Sequence, residues 1–406
     1  MAEGACAGID WAKDAHEVLV EDGEGERLWG ETVPHDEAGI ARLCRTLATL
    51  GVIRVAVERP DGLLIERLLD TGLTVLAIHP NKVAAARDRF RAAGGKSDRF
   101  DAFVLCELAR TDSHRFQALS PDSDQTKALR ALTRGREVLV EQRIALCNQL
   151  RAELERFWPG AAEIFSDLDS PISLAFLERY PSPVEARRLG EKTLARFLAR
   201  HHYCGRKEPS ELLAKLRNAP TGRAGEAEAD ARRGLVLAQV AALRPIVEQI
   251  RLITSEIAHT VRTHPDGEIF LSFFKNPDSV ICAATLLAEI GDDRARYPTA
   301  EHLAADAGMS PVAVESGRKK VACFRRGCDH RLRDATSTLA DATRHWHPWA
   351  QDHYLRARGR GHDHPRATRT LGRAWTRVLW RCWQDHTPYD PTRHQGLQQH
   401  LLTIKG

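Results

Sequence analysis

Four acidic residues near the start of the chain have the types and spacing that chemistry on phosphate would need: Asp10, Glu58, Asp98 and Asp101. Asp10 closes the apolar run Ala5-Cys6-Ala7-Gly8-Ile9, and Glu58 closes Val52-Ile53-Arg54-Val55-Ala56-Val57. Asp98 and Asp101 stand three apart in Lys96-Ser97-Asp98-Arg99-Phe100-Asp101, just before the helical run Ala102 to Arg110. Two carboxylates at strand ends and two on one helix face can converge on a point. Converging carboxylates repel one another, so the arrangement predicts a divalent cation to neutralise it. Mg²⁺, with Mn²⁺ as a substitute, suits a site made of hard oxygen donors. It would leave coordination positions for phosphate oxygens and activate a hydroxyl nucleophile.

The elements that must position these acids follow from periodicity. Strands are expected around Ile9, around Val18 to Val20, and over Arg27 to Val33, with a turn at Asp22-Gly23-Glu24-Gly25. An amphipathic helix, Glu37 to Leu50, sets Ile40, Leu43, Leu47 and Leu50 on one face. The strand Val52 to Val57 leads into Pro60-Asp61-Gly62 and a helix through Leu69, and a further strand, Leu73 to Ile78, ends at His79-Pro80. A strand meander followed by alternating helices and strands fits an α/β RNase H-like domain over residues 1–122. Strand ends are where sites form in such sheets. An actin-like or sugar-kinase fold also opens on a strand ending Gly-Ile-Asp. It needs a Gly/Thr-rich phosphate loop next, whereas Trp11-Ala12-Lys13-Asp14 follows here.

Residues 123–264 read as helical. One long helix is expected from Gln125 to Phe157 and a second from Ala231 to Arg262, where Val236, Val240, Leu243, Val247, Ile250, Ile257 and Val261 keep a 4-3 spacing. Pro245 is expected to kink the second helix or mark its effective start. The pair reads either as an antiparallel coiled-coil stalk or as two core helices. Residues 265–406 form a mainly α-helical, basic region. Helices are expected over Ser279 to Glu289, Ala300 to Ala307, Arg331 to Arg344 and Arg366 to Gln384, with a loop or short strands through Met309 to Lys320.

Length and composition set outer limits. A chain of 406 residues suggests two or three domains, and 43% hydrophobic with 28% charged residues fits a soluble globular protein. No apolar stretch has the length of a membrane span, the N-terminus lacks the features of a signal peptide, and nine scattered cysteines suit a reducing cytoplasm. The formal charge of +4 hides an asymmetry: Pro311 to Trp383 holds 16 Lys and Arg against 6 Asp and Glu. A basic region joined to an acidic site points to a phosphate-rich polymer as partner.

At this point the motifs resemble those of a known family. Gly8-Ile9-Asp10-Trp11-Ala12-Lys13, Val57-Glu58-Arg59-Pro60 and Lys96-Ser97-Asp98-Arg99-Phe100-Asp101-Ala102 look like the DEDD motifs of the IS110 family of insertion-sequence transposases. Ala307-Gly308-Met309-Ser310-Pro311, Glu315-Ser316-Gly317, the basic run after it and Tyr389-Asp390-Pro391 agree, in the right order. The resemblance implies a RuvC-like domain, a helical stalk and a serine transposase domain. It implies that Asp10, Glu58, Asp98 and Asp101 hold Mg²⁺ and that Ser316 attacks the phosphodiester, with Ser310 as a second serine in the same region. It further implies donor and target DNA as substrates, a bridge RNA that selects them, and a homo-oligomer, dimer or tetramer. There the acidic site of one subunit completes the serine site of another.

Arg318, Lys319, Lys320, Arg325 and Arg326 are expected to contact phosphate near the serine, and Arg366, Arg369 and Arg373, on one helix, to contact it further on. Trp375, Trp380 and Trp383 accompany that helix and suit a core or an interface better than base stacking. Two other constellations are weaker. His330-Arg331-Leu332-Arg333 with Tyr354 imitates a tyrosine recombinase, a family with no use for the acidic tetrad. Cys323, Cys328, His330, His345 and His347 are too loosely spaced for a zinc site. The alternatives to a transposase are a Holliday-junction resolvase or other nuclease using the tetrad alone, and a non-catalytic nucleic-acid scaffold. A cytoplasmic protein, associated with the nucleoid when acting, is expected.

Overall fold

The computed structural model describes residues 4–90, 97–276, 279–316 and 319–394. Its contacts divide the chain into two compact units, residues 1–123 with 292–299, and residues 124–291 with 300–406.

The first unit is built on a five-stranded mixed sheet. The strands are β1 (Ala5–Asp10), β2 (Ala15–Glu21), β3 (Arg27–Pro34), β4 (Val52–Val57) and β5 (Thr74–Ala77), in the order β3-β2-β1-β4-β5. The first three form an antiparallel meander, and β4 and β5 add in parallel beside β1. Its helices are α1 (Glu37–Thr49), α2 (Leu63–Asp70), α3 (Pro80–Phe90) and α4 (Asp98–Thr111). The turn between β2 and β3 is held by Asp22, whose Oδ1 accepts from the backbone N–H of Glu24, Gly25 and Glu26.

Both faces of the sheet are covered, which is why β1 and β4 read as apolar runs instead of alternating. Ala5, Ala7 and Ile9 pack with Val55 and Val57 against Leu43, Leu47, Leu64 and Leu68 of α1 and α2. On the other face Cys6, Leu19, Ala56 and Leu76 meet Val104, Leu105 and Cys106 of α4. Helix α1 starts where Asp36 accepts from the Gly39 N–H at 2.7 Å, and it buries Ile40, Leu43 and Leu47.

Helix α3 is a departure from the sequence expectation, which stopped at Pro80. Proline needs no amide partner in the first turn of a helix, and here it opens one. The His79 ring nitrogen accepts from the Asn81 N–H at 3.1 Å and so caps the start. Helix α4 begins four residues earlier than the expected run, at Asp98, because Ser97 caps it by accepting from the Phe100 N–H. Both aspartates therefore lie in its first turn.

The second unit is mainly helical. Helices α5 (Asp124–Phe157), α6 (Pro159–Glu163), α7 (Pro171–Arg179), α8 (Pro183–Ala186), α9 (Glu191–Arg200), α10 (Pro209–Asn218) and α11 (Glu226–Thr263) come first. They are followed by α12 (Gly267–Leu271), α13 (Val280–Ile290) and α14 (Ala300–Asp306), then the antiparallel hairpin β6 (Val312–Ser316) and β7 (Lys319–Cys323). Helices α15 (His330–Thr343), α16 (Pro348–Gly359) and α17 (His364–Gln384) close the unit.

The long helices α5 and α11 run antiparallel. Thr126 meets His264 at one end, Arg136 donates to Thr254 along the way, and Arg232 pairs with Glu153 near the other end. Pro245 does not mark the start of α11, which begins at Glu226 and continues through the proline. Buried Val240 and Leu243 before it and Ile250 after it anchor both sides, offsetting the hydrogen bond that proline cannot donate. Helix α13 is fixed to α5 by a two-pronged Arg134–Glu289 pair at 3.0 and 2.8 Å, with Glu289 buried. Among the described residues no helix is long and apolar enough to cross a membrane.

Candidate active site and nucleic-acid interface

The register of two parallel strands brings the first two acids side by side. Ile9 of β1 pairs with Val57 of β4, so Asp10 and Glu58, each one residue further on, emerge at the same edge of the sheet. Asp10, at the end of β1, and Glu58, just past β4, are both half-buried. Helix α4 crosses the same strand so closely that Gly8 is the only residue type that fits. A Cβ there would stand 2.0 Å from the Ala102 carbonyl oxygen. Three residues apart in the first turn of α4, Asp98 and Asp101 share a face. Asp98 is exposed, while Asp101 is 2% exposed.

Sequence reasoning missed the residue that Asp101 touches. Arg87 of α3 donates from Nε to Asp101 Oδ1 at 2.6 Å and from Nη2 to Oδ2 at 2.7 Å. The hydrogen bond to Asp101 raises the Arg87 guanidinium above its ordinary pKa, and the charges of Glu58 and Asp10 act in the same direction against the effect of burial. Three acids of the tetrad thus lie within electrostatic reach of one guanidinium. Among the described residues, no three His, Cys, Asp or Glu side chains stand close enough to hold a metal ion as they are. The donor chemistry does fit a hard divalent cation: all-oxygen ligands, two at adjacent strand ends and one buried beside them, with a cationic group already drawn to the cluster.

A second group next to the acids was also missed. His16 is fully buried and shares a 2.8 Å hydrogen bond between its Nε2 and Nδ1 of His35. Burial, and then the neighbouring His35, lower the His16 pKa to about 4. Trp11, the residue after Asp10, contacts both rings, and the guanidinium of Arg59, the residue after Glu58, lies 4.2 Å over the Trp11 ring. A histidine alternating with Val18 and Val20 was the available signal; its partner 19 residues away was not.

In the second unit Ser316 ends β6 and pairs with Lys319, as Glu315 pairs with Lys320. Arg318 lies outside the described residues, as do the side chains of Ser316, Lys319 and Lys320. Ser310 is buried, and its hydroxyl has no hydrogen-bond partner among the described residues. Arg325 donates to the Ser310 carbonyl oxygen at 3.1 Å, and Arg326 is exposed.

Helix α17 explains the arginine spacing. Leu371, Trp375, Leu379 and Trp383 are buried along one side, with Trp380 half-buried. The Trp375 indole N–H donates to Thr343 at 2.8 Å, so this side is core. On another side Arg366, Arg369 and Arg373 line a cleft of about 290 Å³ with Arg325, His362 and Phe324. The Arg369 guanidinium lies 4.9 Å over the Phe324 ring. Arg373 also borders a second cleft of about 230 Å³ with Arg356, Arg360 and Arg377. Its Nε is buried without a hydrogen-bond partner among the described residues. Such a surface offers forked cations to phosphate and little to read a base.

Comparison with known proteins agrees with this arrangement. Over 415 aligned residues, 95% of each chain, the sequence is 32% identical to the mini-circle putative transposase for IS117 of Streptomyces coelicolor. The chain belongs to the IS110 family of insertion-sequence transposases. The insertion element IS900 uncharacterized 42 kDa protein of Mycobacterium paratuberculosis is 30% identical over 96% of this chain and 98% of its own. The IS116 uncharacterized 44.8 kDa protein of Streptomyces clavuligerus is 29% identical over 95% and 96%.

Two family models divide this IS110-family chain much as its candidate residues do. The DEDD transposase model of IS110 type matches residues 7–159 and spans all four acids. The model described as transposase, IS116/IS110/IS902 family, matches residues 279–355 and spans both serines with Arg325 and Arg326. Arg366, Arg369 and Arg373 lie beyond it.

Proposed function

We propose that this IS110-family transposase cleaves and exchanges DNA strands in a divalent-metal-dependent reaction, with an RNase H-like acidic site and a serine nucleophile. The single observation that best supports this is the meeting of elements at Asp10. β1 and β4 deliver Asp10 and Glu58 in register, and α4, pressed on Gly8, brings Asp101 over the same strand. Asp10, Glu58, Asp98 and Asp101 would hold Mg²⁺, or Mn²⁺ in its place. When bound, that ion would neutralise phosphate charge and favour ionisation of a nearby hydroxyl.

Ser316 is the proposed nucleophile. Its hydroxyl oxygen attacks a backbone phosphorus and loses its proton. One phosphorus–oxygen bond of the DNA breaks as the phosphoserine ester forms, and the departing sugar oxygen takes up a proton. The ester conserves the bond for rejoining to a second strand. Arg318, Lys319, Lys320, Arg325 and Arg326 bind phosphate beside it, while Arg366, Arg369 and Arg373 grip backbone further along. The α5–α11 pair is read as a helical stalk, with residues 1–122 as a RuvC-like domain and residues 265–406 as a serine domain. The working form is a homo-oligomer in which the acids of one subunit serve the serine of another. Contacts made to backbone suit an enzyme that leaves sequence choice to a bridge RNA.

A cleavage assay on donor DNA with Mg²⁺ tests the reading. Asp10→Asn should abolish cleavage, and Ser316→Ala should abolish covalent protein–DNA adducts and strand exchange. Adducts surviving in Ser316→Ala would overturn the serine mechanism. Cleavage lost only in Asp10→Asn would identify a plain nuclease.

A further inference from the structure

The acidic cluster carries a cation of its own. Asp101, the most buried of the four acids, has both carboxylate oxygens engaged by the fork of Arg87, whose side chain is itself only 23% exposed. Glu58 and Asp10 act electrostatically on the same guanidinium. A divalent ion that takes Asp101 as a ligand must draw on the lone pairs Arg87 now uses. Both groups answer the same need, since converging carboxylates require a counter-charge whether or not a metal is bound.

We infer that Arg87 is a latch. It offsets part of the charge of the acidic cluster and holds Asp101 while no divalent cation is bound, and it gives up at least one Asp101 oxygen when the cation enters. The inference rests on the metal reading of the tetrad. It assigns α3, an element without any of the four acids, a part in setting metal affinity. A latch closed in about nine molecules of ten weakens apparent metal affinity roughly tenfold, because only the open fraction is competent to bind. A bidentate guanidinium is well suited to this, as a lysine ammonium cannot reproduce its fork.

The test is calorimetric titration of Mn²⁺ into the full-length protein without DNA, with thermal unfolding in chelator and in saturating Mn²⁺. Arg87→Gln should bind Mn²⁺ about tenfold more tightly than wild type. It should unfold at a lower temperature in chelator and recover most of that loss when Mn²⁺ is added. Arg87→Lys should fall between the two, and it carries the test if Arg87→Gln does not fold. Affinity that is unchanged or weaker in the variants would overturn the latch and make Arg87 an orienting residue for Asp101. If wild type has no Mn²⁺ site that Asp10→Asn removes, the metal reading fails as well.

Discussion

Gly8 sets the distance between α4 and β1, and substituting it by alanine is the most direct test of how the acids are positioned. A Cβ at residue 8 would lie 2.0 Å from the Ala102 carbonyl oxygen and 2.3 Å from the Cys106 nitrogen, where Cβ contacts in proteins essentially never fall below 3.0 Å. Both obstacles are helix backbone, so no side-chain rotation can make room. Helix α4 must retreat by about an ångström, a shift of the size that overpacking forces at a cost of about 1–3 kcal/mol. The Cys106 Sγ–H bond to the Cys6 carbonyl oxygen, at 3.2 Å, would stretch with it and add about 1 kcal/mol. Because Asp98 and Asp101 ride on α4, the same movement shifts them relative to Asp10, and an ångström of misplacement costs on the order of 10²-fold in rate. Gly8→Ala should therefore lower the urea midpoint and reduce donor-DNA cleavage far more than the loss of folded protein accounts for. Gly135→Ala, in α5 with nothing within 4 Å of the new methyl, is the control and should gain about 0.5–1 kcal/mol. If Gly8→Ala matches wild type in both assays, the helix is not seated on Gly8 and this account of the site is wrong.

Two other outcomes are expected. Arg369→Ala and Arg373→Ala should each weaken DNA binding regardless of sequence and flatten the slope of log affinity against log salt by about one; an unchanged slope would remove that arginine from the phosphate surface. Burial, with His394 second, holds His347 at about pKa 4, below the ordinary 6.5. The unfolded chain therefore takes the proton first, and the stability His347 contributes is full above about pH 6.5 and drains away as pH falls toward 4. Urea unfolding followed by tryptophan fluorescence should show that decline, with a shallower one in His347→Phe; identical pH slopes would refute it.

Much of the sheet could be read from the chain because strands buried on both faces leave uninterrupted apolar runs. Asp10 and Glu58 were conspicuous as the residues that end two of them. Helix α1 was legible from Ile40, Leu43 and Leu47, which are all buried on one side. Helix α3 was not. It buries only Val83, so no apolar stripe advertises it, and Pro80 reads as readily as an end as a beginning. Arg87 was lost with it. Helix α16 escaped for a similar reason, with only Trp349, Ala350 and Ala357 buried. At Pro245 the helix does not start but runs on, anchored by packing on both sides. The His16–His35 pair depends on two strands lying side by side, a relation that spacing along the chain does not express.

The hairpin of β6 and β7 has a consequence for how substitutions would score in bulk. It is a sheet of two strands, with Val312, Val314 and Val321 exposed along it, and a ribbon of that kind adds little stability by itself. A library screened for cellular abundance should tolerate most changes there while rejecting those at Gly8, Glu289 or Trp375. The same library screened for transposition should punish the hairpin as heavily as the core. Tolerance in the first screen and intolerance in the second would mark these ten residues as a stretch that selection keeps for what it touches, at no gain to the fold that carries it.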